Sequence, residues 1–167
     1  MWTNPIRRIT YADPHKIDIG CKTYTKRGFT GIDYMDFGQN VVWDVRHGLP
    51  FPDNSINEVY SRHFVEHLAD EDIEGFFYEL GRVCMDGARI EIIIPHRDSV
   101  GSWTHNHLSW WCEDRFKGIA TSYASGIFEI LELGSSVNDR SGQKEVRALI
   151  KVVKQKSDNT ADTSEVK

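Results

Sequence analysis

The chain has 167 residues and a formal net charge of -5, which fits a single compact domain and argues against a surface built for duplex nucleic acid. Its three cysteines, Cys21, Cys84 and Cys112, form no CxxC pair, so we expect reduced thiols in a cytoplasmic protein. No apolar run approaches the ~20 residues that a membrane helix requires, and no membrane partner is expected.

Short apolar runs that end at glycine, aspartate or proline recur along the chain and are typical of strands. They predict seven strands, over residues 16–20, 29–33, 41–44, 57–61, 88–95, 127–133 and 146–153. The polar segment 134–142 is expected to form the loop between the last two strands, and 85–87 the turn before the fifth strand.

One helix is indicated between the fourth and fifth strands, where Asp70 is a candidate N-cap and acids fill the first turn. The apolar residues that follow at helical spacing are Ile73, Phe76, Phe77, Leu80 and Val83. A second helix is predicted over residues 110–119. This order of elements predicts one α/β domain, residues 1–154, with a mostly parallel sheet, followed by a polar and disordered tail, residues 155–167.

Seven short motifs occur in a fixed order along the first part of the chain. They are Asp18-Ile19-Gly20-Cys21, Gly28-Phe29-Thr30-Gly31-Ile32-Asp33, Trp43-Asp44-Val45, Leu49-Pro50-Phe51-Pro52-Asp53-Asn54-Ser55, Glu66-His67-Leu68, Glu79-Leu80-Gly81-Arg82-Val83 and Ile94-Pro95-His96. Together they resemble a small class I S-adenosylmethionine-dependent methyltransferase of the type 11 group, over about residues 16–116. The resemblance implies a Rossmann-like, doubly wound and mostly parallel sheet with an antiparallel last strand, and S-adenosylmethionine as the cofactor.

The resemblance also implies which residues bind this cofactor at the carboxyl ends of the strands. The methionine part is matched to the turn Asp18, Gly20, Cys21 and Lys22, and the ribose to Asp33. The adenine is matched to Asp44 and Val45, and the sulfonium to Ser61 and His63. Asp33 is expected to accept both ribose hydroxyls, because a carboxylate offers two acceptor oxygens. The alternative is that Asp33 and Asp44 are ordinary turn carboxylates and Gly20 an ordinary turn glycine, and the ligand role is favoured for Asp33.

Lys22 stands where the motif calls for a second glycine, two residues after Gly20. Its ammonium can pair with the carboxylate of the cofactor's methionine part, or it can repel the sulfonium and close the pocket. It can also point to solvent, as most lysines do. Lys22 therefore leaves a second candidate function open, a cofactor-binding domain without transfer activity that serves in sensing or scaffolding.

The connections between the first three predicted strands are short. Only residues 21–28 join strands one and two, and only 34–40 join two and three, whereas a parallel crossover usually needs about a dozen residues or more. We therefore predict that the two crossover helices are reduced. A thinly covered apolar sheet face would follow, and we expect self-association or the segment 1–11 to cover it.

The segment His63-Phe64-Val65-Glu66-His67 matches the inverted zinc-peptidase pattern H-x-x-E-H. In that pattern two imidazoles one helical turn apart bind zinc, and the glutamate is the general base. Such a site also needs a ligand from a later helix, and the sequence after Arg82 offers none, so we predict no metal site. A zinc-dependent hydrolase is the third candidate function.

The segment after strand five is rich in groups suited to an acceptor site: His96, Asp98, Ser99, Trp103, His105, His107, Trp110 and Trp111. Its indoles can stack on a planar or sugar acceptor, or anchor the following helix to the sheet. Histidine suits proton removal near neutral pH, and the candidate bases are His96, His63 and then His105. The leading function is methyl transfer to a small molecule, a sugar or a protein side chain.

Overall fold

In a computed structural model, which describes residues 15–123 and 127–154, these residues build one seven-stranded mixed sheet. The strands are β1 His15–Ile19, β2 Thr30–Asp33, β3 Val41–Val42, β4 Ile56–Arg62, β5 Cys84–Pro95, β6 Phe128–Val137 and β7 Lys144–Val152. Their order is β3-β2-β1-β4-β5-β7-β6, with β1 to β5 parallel and β7 antiparallel to both of its neighbours. The predicted Rossmann-like α/β fold with an antiparallel last strand is confirmed.

The connections from β1 to β2 and from β2 to β3 contain turns and no helix, so the predicted loss of both crossover helices is also confirmed. The helix between β4 and β5, α1, spans Asp70–Val83 and buries the predicted apolar stripe. Asp70 is its first residue and not its cap, because Ala69 holds the extended cap conformation. The Asp70 carboxylate instead accepts a hydrogen bond from Nη2 of Arg115.

Three boundaries in the second half differ from the prediction. The second helix, α2, spans only Glu113–Gly118 and continues as a π-helical turn, Ile119–Tyr123. Trp111 is extended and forms a bridge with His96, which holds the preceding residues out of the helix. Residues 85–87 lie within β5, and β6 runs into the predicted loop as far as Val137.

One face of the sheet carries charged side chains, contrary to the apolar face expected above. Lys16 pairs with Glu58 at 2.5 Å, and Glu91 pairs with Arg147 at 2.7 Å and with Lys26 at 3.4 Å. Strands alternate the direction of successive side chains, so these residues point away from the core on which α1 packs. This part of the sheet therefore has no apolar face that self-association would need to cover. The other expected cover, segment 1–11, lies outside the described residues.

The core lies on the other face, where Ile17, Ile19, Ile90 and Ile92 are buried against the side chains of α1. No helix that the structure describes is long and apolar enough to cross a membrane. The predicted tail, residues 155–167, falls outside the described chain. The packing leaves the carboxyl ends of β1, β2 and β4 side by side at one edge of the sheet, where the parallel-sheet rule places ligand sites.

Candidate functional site

A pocket of about 620 Å³ opens at the carboxyl ends of β1, β2 and β4. Six of the nine predicted cofactor-binding residues line it: Gly20, Lys22, Asp33, Asp44, Val45 and His63. Its remaining wall comes from the connection that follows β2, the 3-10 helix Val65–His67 and the loop before α2. The predicted residues are thus brought together from segments that are far apart in the sequence.

Gly20 directly follows β1, and its backbone lines the pocket. Its φ of +74° lies in the left-handed region, and a Cβ added there would lie 2.4 Å from Cβ of Phe64. The Gly20 amide donates to the carbonyl of Ile32 at 2.8 Å, which ties the ends of β1 and β2 together. Only glycine satisfies both the backbone angle and the close approach of Phe64.

Asp33 ends β2, and this residue is 6% exposed and lines the pocket. Oδ2 accepts the amide of Lys22 at 3.0 Å, and Oδ1 accepts the amide of Met35 at 3.3 Å. Each carboxylate oxygen can accept about two hydrogen bonds, so one acceptor position on each oxygen is left. A buried carboxylate with two remaining acceptor positions fits a pair of neighbouring hydroxyl groups.

Asp44 and Val45 lie where the chain leaves β3 and starts a 3-10 helix, Val45–His47. Asp44 is the N-cap of this helix, and its carboxylate accepts from the Arg46 amide and, at 2.6 Å, from Arg46 Nη2. These bonds to Arg46 lower the pKa of Asp44. Asp44 is therefore a turn carboxylate, as one of the two alternatives predicted, and it also lines the pocket.

Three predicted cofactor residues lie outside the main pocket. Asp18 and Cys21 line a smaller neighbouring pocket of about 340 Å³, and Oδ2 of Asp18 accepts the Lys26 amide at 2.6 Å. Burial raises the pKa of both Asp18 and Cys21. Ser61 lies within β4 and lines neither pocket, since its Oγ donates to the Ile19 carbonyl at 3.1 Å.

Lys22 takes a left-handed backbone conformation, with a φ of +48°, at the position where the motif calls for glycine. Lys22 contributes to the lining of both pockets and is exposed to solvent. The residue therefore borders the site, and the pairing of its ammonium with the cofactor stays a prediction.

His63 follows β4 and also has a left-handed backbone, with a φ of +53°. Its Nε2 atom lies 2.8 Å from Oε1 of Glu145, a residue of β7. Arg62 and Asn138 donate to the same carboxylate. A non-glycine residue with this backbone angle carries strain, and such strain is concentrated at functional sites.

The other two candidate bases do not reach the pocket lining. His96 is 4% exposed beyond the end of β5, with Nε2 3.3 Å from Glu113 and 3.4 Å from Nζ of Lys144. The side chain of His105 is exposed in the loop before α2. Sequence order could not separate these histidines, because all three follow strand ends. Only His63 follows a strand that ends at the pocket.

Glu66 is 1% exposed, and neither of its carboxylate oxygens has a hydrogen-bond partner within residues 15–123 and 127–154. Burial raises its pKa to about 8. The segment from His63 to His67 runs from the end of β4 into a 3-10 helix, and Glu145 holds His63. The zinc-peptidase arrangement is therefore not formed, because the two histidines do not share the face of an α-helix.

Of two groups beside the pocket, Glu145 was not predicted from the sequence and His107 was predicted only as one of many acceptor-site candidates. Glu145 contacts His63 across 82 positions of the chain, which no local spacing can indicate. His107 lies with Nε2 3.9 Å from Oε1 of Glu66, although the sequence suggested only a general acceptor region there. Among the aromatic residues, Trp111 is buried against Phe116, which matches the anchoring role considered for it.

Comparison with known proteins gives a consistent result. A family model described as a methyltransferase domain matches residues 8–92. No curated protein matches the sequence. An S-adenosylmethionine-dependent methyltransferase from Methanosarcina mazei is 16% identical, with a TM-score of 0.62, over 87% of this chain and 96% of its own.

Two further solved structures share the fold. The 1,6-didemethyltoxoflavin-N1-methyltransferase of Burkholderia thailandensis, solved with S-adenosylhomocysteine, is 9% identical with a TM-score of 0.64, over 83% of this chain and 71% of its own. A methyltransferase from Aquifex aeolicus is 14% identical with a TM-score of 0.59, over 83% of this chain and 82% of its own. At such low identity these likenesses speak for the fold alone.

Proposed function

This chain belongs to the family of methyltransferase domains, as a class I S-adenosylmethionine-dependent methyltransferase, and we propose that it methylates a small molecule with a planar ring. The observation that carries the proposal is the meeting of Gly20, Asp33 and His63 in one pocket at the carboxyl ends of the strands. A glycine turn, a buried carboxylate and an imidazole are the groups that the cofactor and a proton-releasing acceptor require.

We assign the ribose of the cofactor to Asp33, whose two remaining acceptor positions fit neighbouring hydroxyls. The adenine is assigned to the Val45 region, where Tyr34 and Met35 expose apolar surface along the pocket. The methionine part is assigned to the Gly20 turn, with Lys22 as the partner of its carboxylate. When bound, the cofactor supplies an electrophilic methyl carbon on a positively charged sulfur.

We assign proton removal to His63. The Glu145 carboxylate can only accept a hydrogen bond, so Nε2 of His63 carries the proton of that contact. Nδ1, which lies 3.8 Å from Oε1 of Glu66, then holds the lone pair and would accept the proton of the acceptor's O–H or N–H group. Glu145 also stabilises the imidazolium that results, as a carboxylate paired with a catalytic histidine does.

The acceptor class is inferred from the loop before α2. Trp103 and Trp110 are 68% and 43% exposed, and their ring centroids lie 5.3 Å apart. The same loop contributes Asn106 and Leu108 to the pocket wall. Exposed indoles beside a ligand pocket favour a flat, partly apolar molecule over a protein side chain.

A transfer screen with methyl-labelled S-adenosylmethionine tests this function. The acceptors offered are ring compounds with a hydroxyl or amino group, free sugars, and a mixture of unfolded proteins. We expect label on at least one ring compound, and a loss of that label in a Trp103→Ala, Trp110→Ala double variant. Label on proteins alone, or transfer that does not respond to the double variant, contradicts the proposed acceptor class.

A further inference from the structure

Three potential metal ligands meet at the wall of the cofactor pocket, outside the roles assigned above. Glu66, His67 and His107 each offer one ligand atom, and these atoms all lie within 4.8 Å of one another. The imidazole rings of His67 and His107 meet edge to face, with their centroids 4.9 Å apart. His67 also lines the pocket, so the cluster borders the space assigned to the reaction.

The carboxylate of Glu66 is the first feature of this cluster that indicates a bound ligand. It is buried, and both oxygens lack a hydrogen-bond partner among the residues that the structure describes. The Glu66 carbonyl accepts the amides of Leu108 and Ser109 at 2.8 and 3.1 Å, which fixes the His107 loop beside it. A buried carboxylate without a hydrogen bond is costly while it is ionised, and either a proton or a bound cation removes this cost.

The two histidines are arranged as metal ligands usually are. Nδ1 of His67 lies 2.8 Å from the Asn106 carbonyl, and Nδ1 of His107 lies 3.1 Å from the Ser102 carbonyl. A carbonyl can only accept, so each Nδ1 carries a proton and each Nε2 keeps its lone pair. A backbone carbonyl that orients the second ring nitrogen is the usual support of a metal-bound imidazole.

We propose that Glu66, His67 and His107 bind one divalent transition metal ion beside the cofactor pocket. Two imidazoles and one carboxylate suit Zn²⁺, Fe²⁺ or Mn²⁺, and three protein ligands leave coordination positions open. Because His67 lines the pocket, an acceptor oxygen can occupy an open position. This site goes beyond the proposed methyl transfer, and it differs from the H-x-x-E-H arrangement because His107 replaces His63 as the second histidine ligand.

Lys22 is the charged group that opposes this site. Lys22 lines the same pocket as His67, and its positive charge opposes the binding of a cation there. Glu145, which contacts His63 beside this pocket, adds negative charge. A Lys22→Ala substitution should therefore strengthen metal binding, whereas a site that does not exist would gain nothing from it.

Titration of the chelator-treated full chain with Co²⁺ tests the proposal, because the visible absorption of Co²⁺ reports nitrogen and oxygen ligation. We expect one bound ion per chain, and an affinity about tenfold weaker or worse in Glu66→Gln and in His107→Ala. His105→Ala is the matched control, as it removes an exposed histidine from the same loop and should leave the titration unchanged. Circular dichroism of each variant verifies that it is folded.

Absence of a Co²⁺ band in the wild type, or a band that survives both Glu66→Gln and His107→Ala, would overturn the metal site. Binding of S-adenosylhomocysteine is measured on the same samples. A chain that binds this product and no metal refutes the metal site alone, and a chain that binds metal but no product refutes the cofactor assignment alone.

Discussion

The Nε2 atom of His63 lies 2.8 Å from Oε1 of Glu145, and this contact joins the end of β4 to β7 at the edge of the pocket. The left-handed backbone of His63 turns the chain sharply there, and its amide donates to the Ile93 carbonyl at 2.9 Å. His63 is therefore held in place both by its backbone amide and by its imidazole ring. This arrangement is what a positioned base requires.

Replacement of His63 tests that role. We expect His63→Ala to lower the turnover number for the ring acceptor by about a hundredfold, the usual contribution of a general base. The affinity for S-adenosylhomocysteine should change little, because the base acts on the acceptor. Turnover by steady-state kinetics and affinity by calorimetry separate the two effects, and a variant with wild-type turnover contradicts the assignment.

Gly20→Ala should lose both stability and cofactor binding. The left-handed φ disfavours alanine by about 1–2 kcal/mol, and the overlap with Phe64 adds about 1–3 kcal/mol more. Gly28→Ala is the matched control, because Gly28 has a φ of +85° and no atom within 4 Å of an added Cβ. Urea unfolding should show a clearly larger loss for Gly20→Ala, and equal losses would contradict the packing argument.

Two substitutions of Lys22 separate backbone strain from charge. Lys22→Gly relieves a left-handed φ and should stabilise the fold by about 0.5–1 kcal/mol, whereas Lys22→Ala keeps that strain. Both variants should bind S-adenosylhomocysteine several-fold more weakly if the ammonium pairs with its carboxylate. Tighter binding of S-adenosylmethionine, with no gain for the uncharged product, would instead indicate repulsion of the sulfonium.

Glu79 gives the fold a defined pH dependence. It accepts from Arg82 and, at 2.7 Å, from the Leu49 amide, and these contacts lower its pKa below the ordinary value. Because the pKa of Glu79 is lower in the folded than in the unfolded chain, its ionised carboxylate stabilises the folded state at pH values above the unfolded-state pKa. This stabilisation is lost as the pH falls through the folded-state pKa. Glu79→Gln should cost about 1–3 kcal/mol of unfolding free energy at neutral pH.

This prediction is checked by measuring how the difference in unfolding free energy between the wild type and Glu79→Gln depends on pH. Urea unfolding of the wild type and Glu79→Gln at a series of pH values should show a gap that narrows as the solution becomes acidic. A gap that stays constant from neutral to acidic pH would show that the charge of Glu79 does not contribute to stability.

The sequence predicts those parts of the site that follow strands in chain order. Gly20 directly follows β1 and Asp33 ends β2, and parallel pairing carries both strand ends to one edge, so strand order alone brings them together. Glu145 could not be predicted, because its contact with His63 depends on β7 inserting between β5 and β6. His96 lies outside the pocket lining, where it forms a bridge with Trp111 just after β5.

The charged face of the sheet could have been predicted from the alternation of polar and apolar residues in the sequence. Lys16 and Glu91 each lie between two buried residues along their strands, and this period of two marks one polar face. The short connections therefore do not expose an apolar surface there. The position of α2 could not be derived in this way, because the bridge between His96 and Trp111 is a tertiary contact that overrides the helical pattern before it.

The most direct test of the cofactor assignment is calorimetric titration of S-adenosylhomocysteine into the wild type, Asp33→Asn and Asp36→Asn. Asp33→Asn replaces one acceptor oxygen with a donor in the pocket, whereas Asp36 is exposed on the same connection and outside the pocket lining. We predict saturable binding by the wild type and Asp36→Asn, and binding weaker by about tenfold or more in Asp33→Asn. No binding by the folded wild type, or equal affinity in all three proteins, would contradict the account.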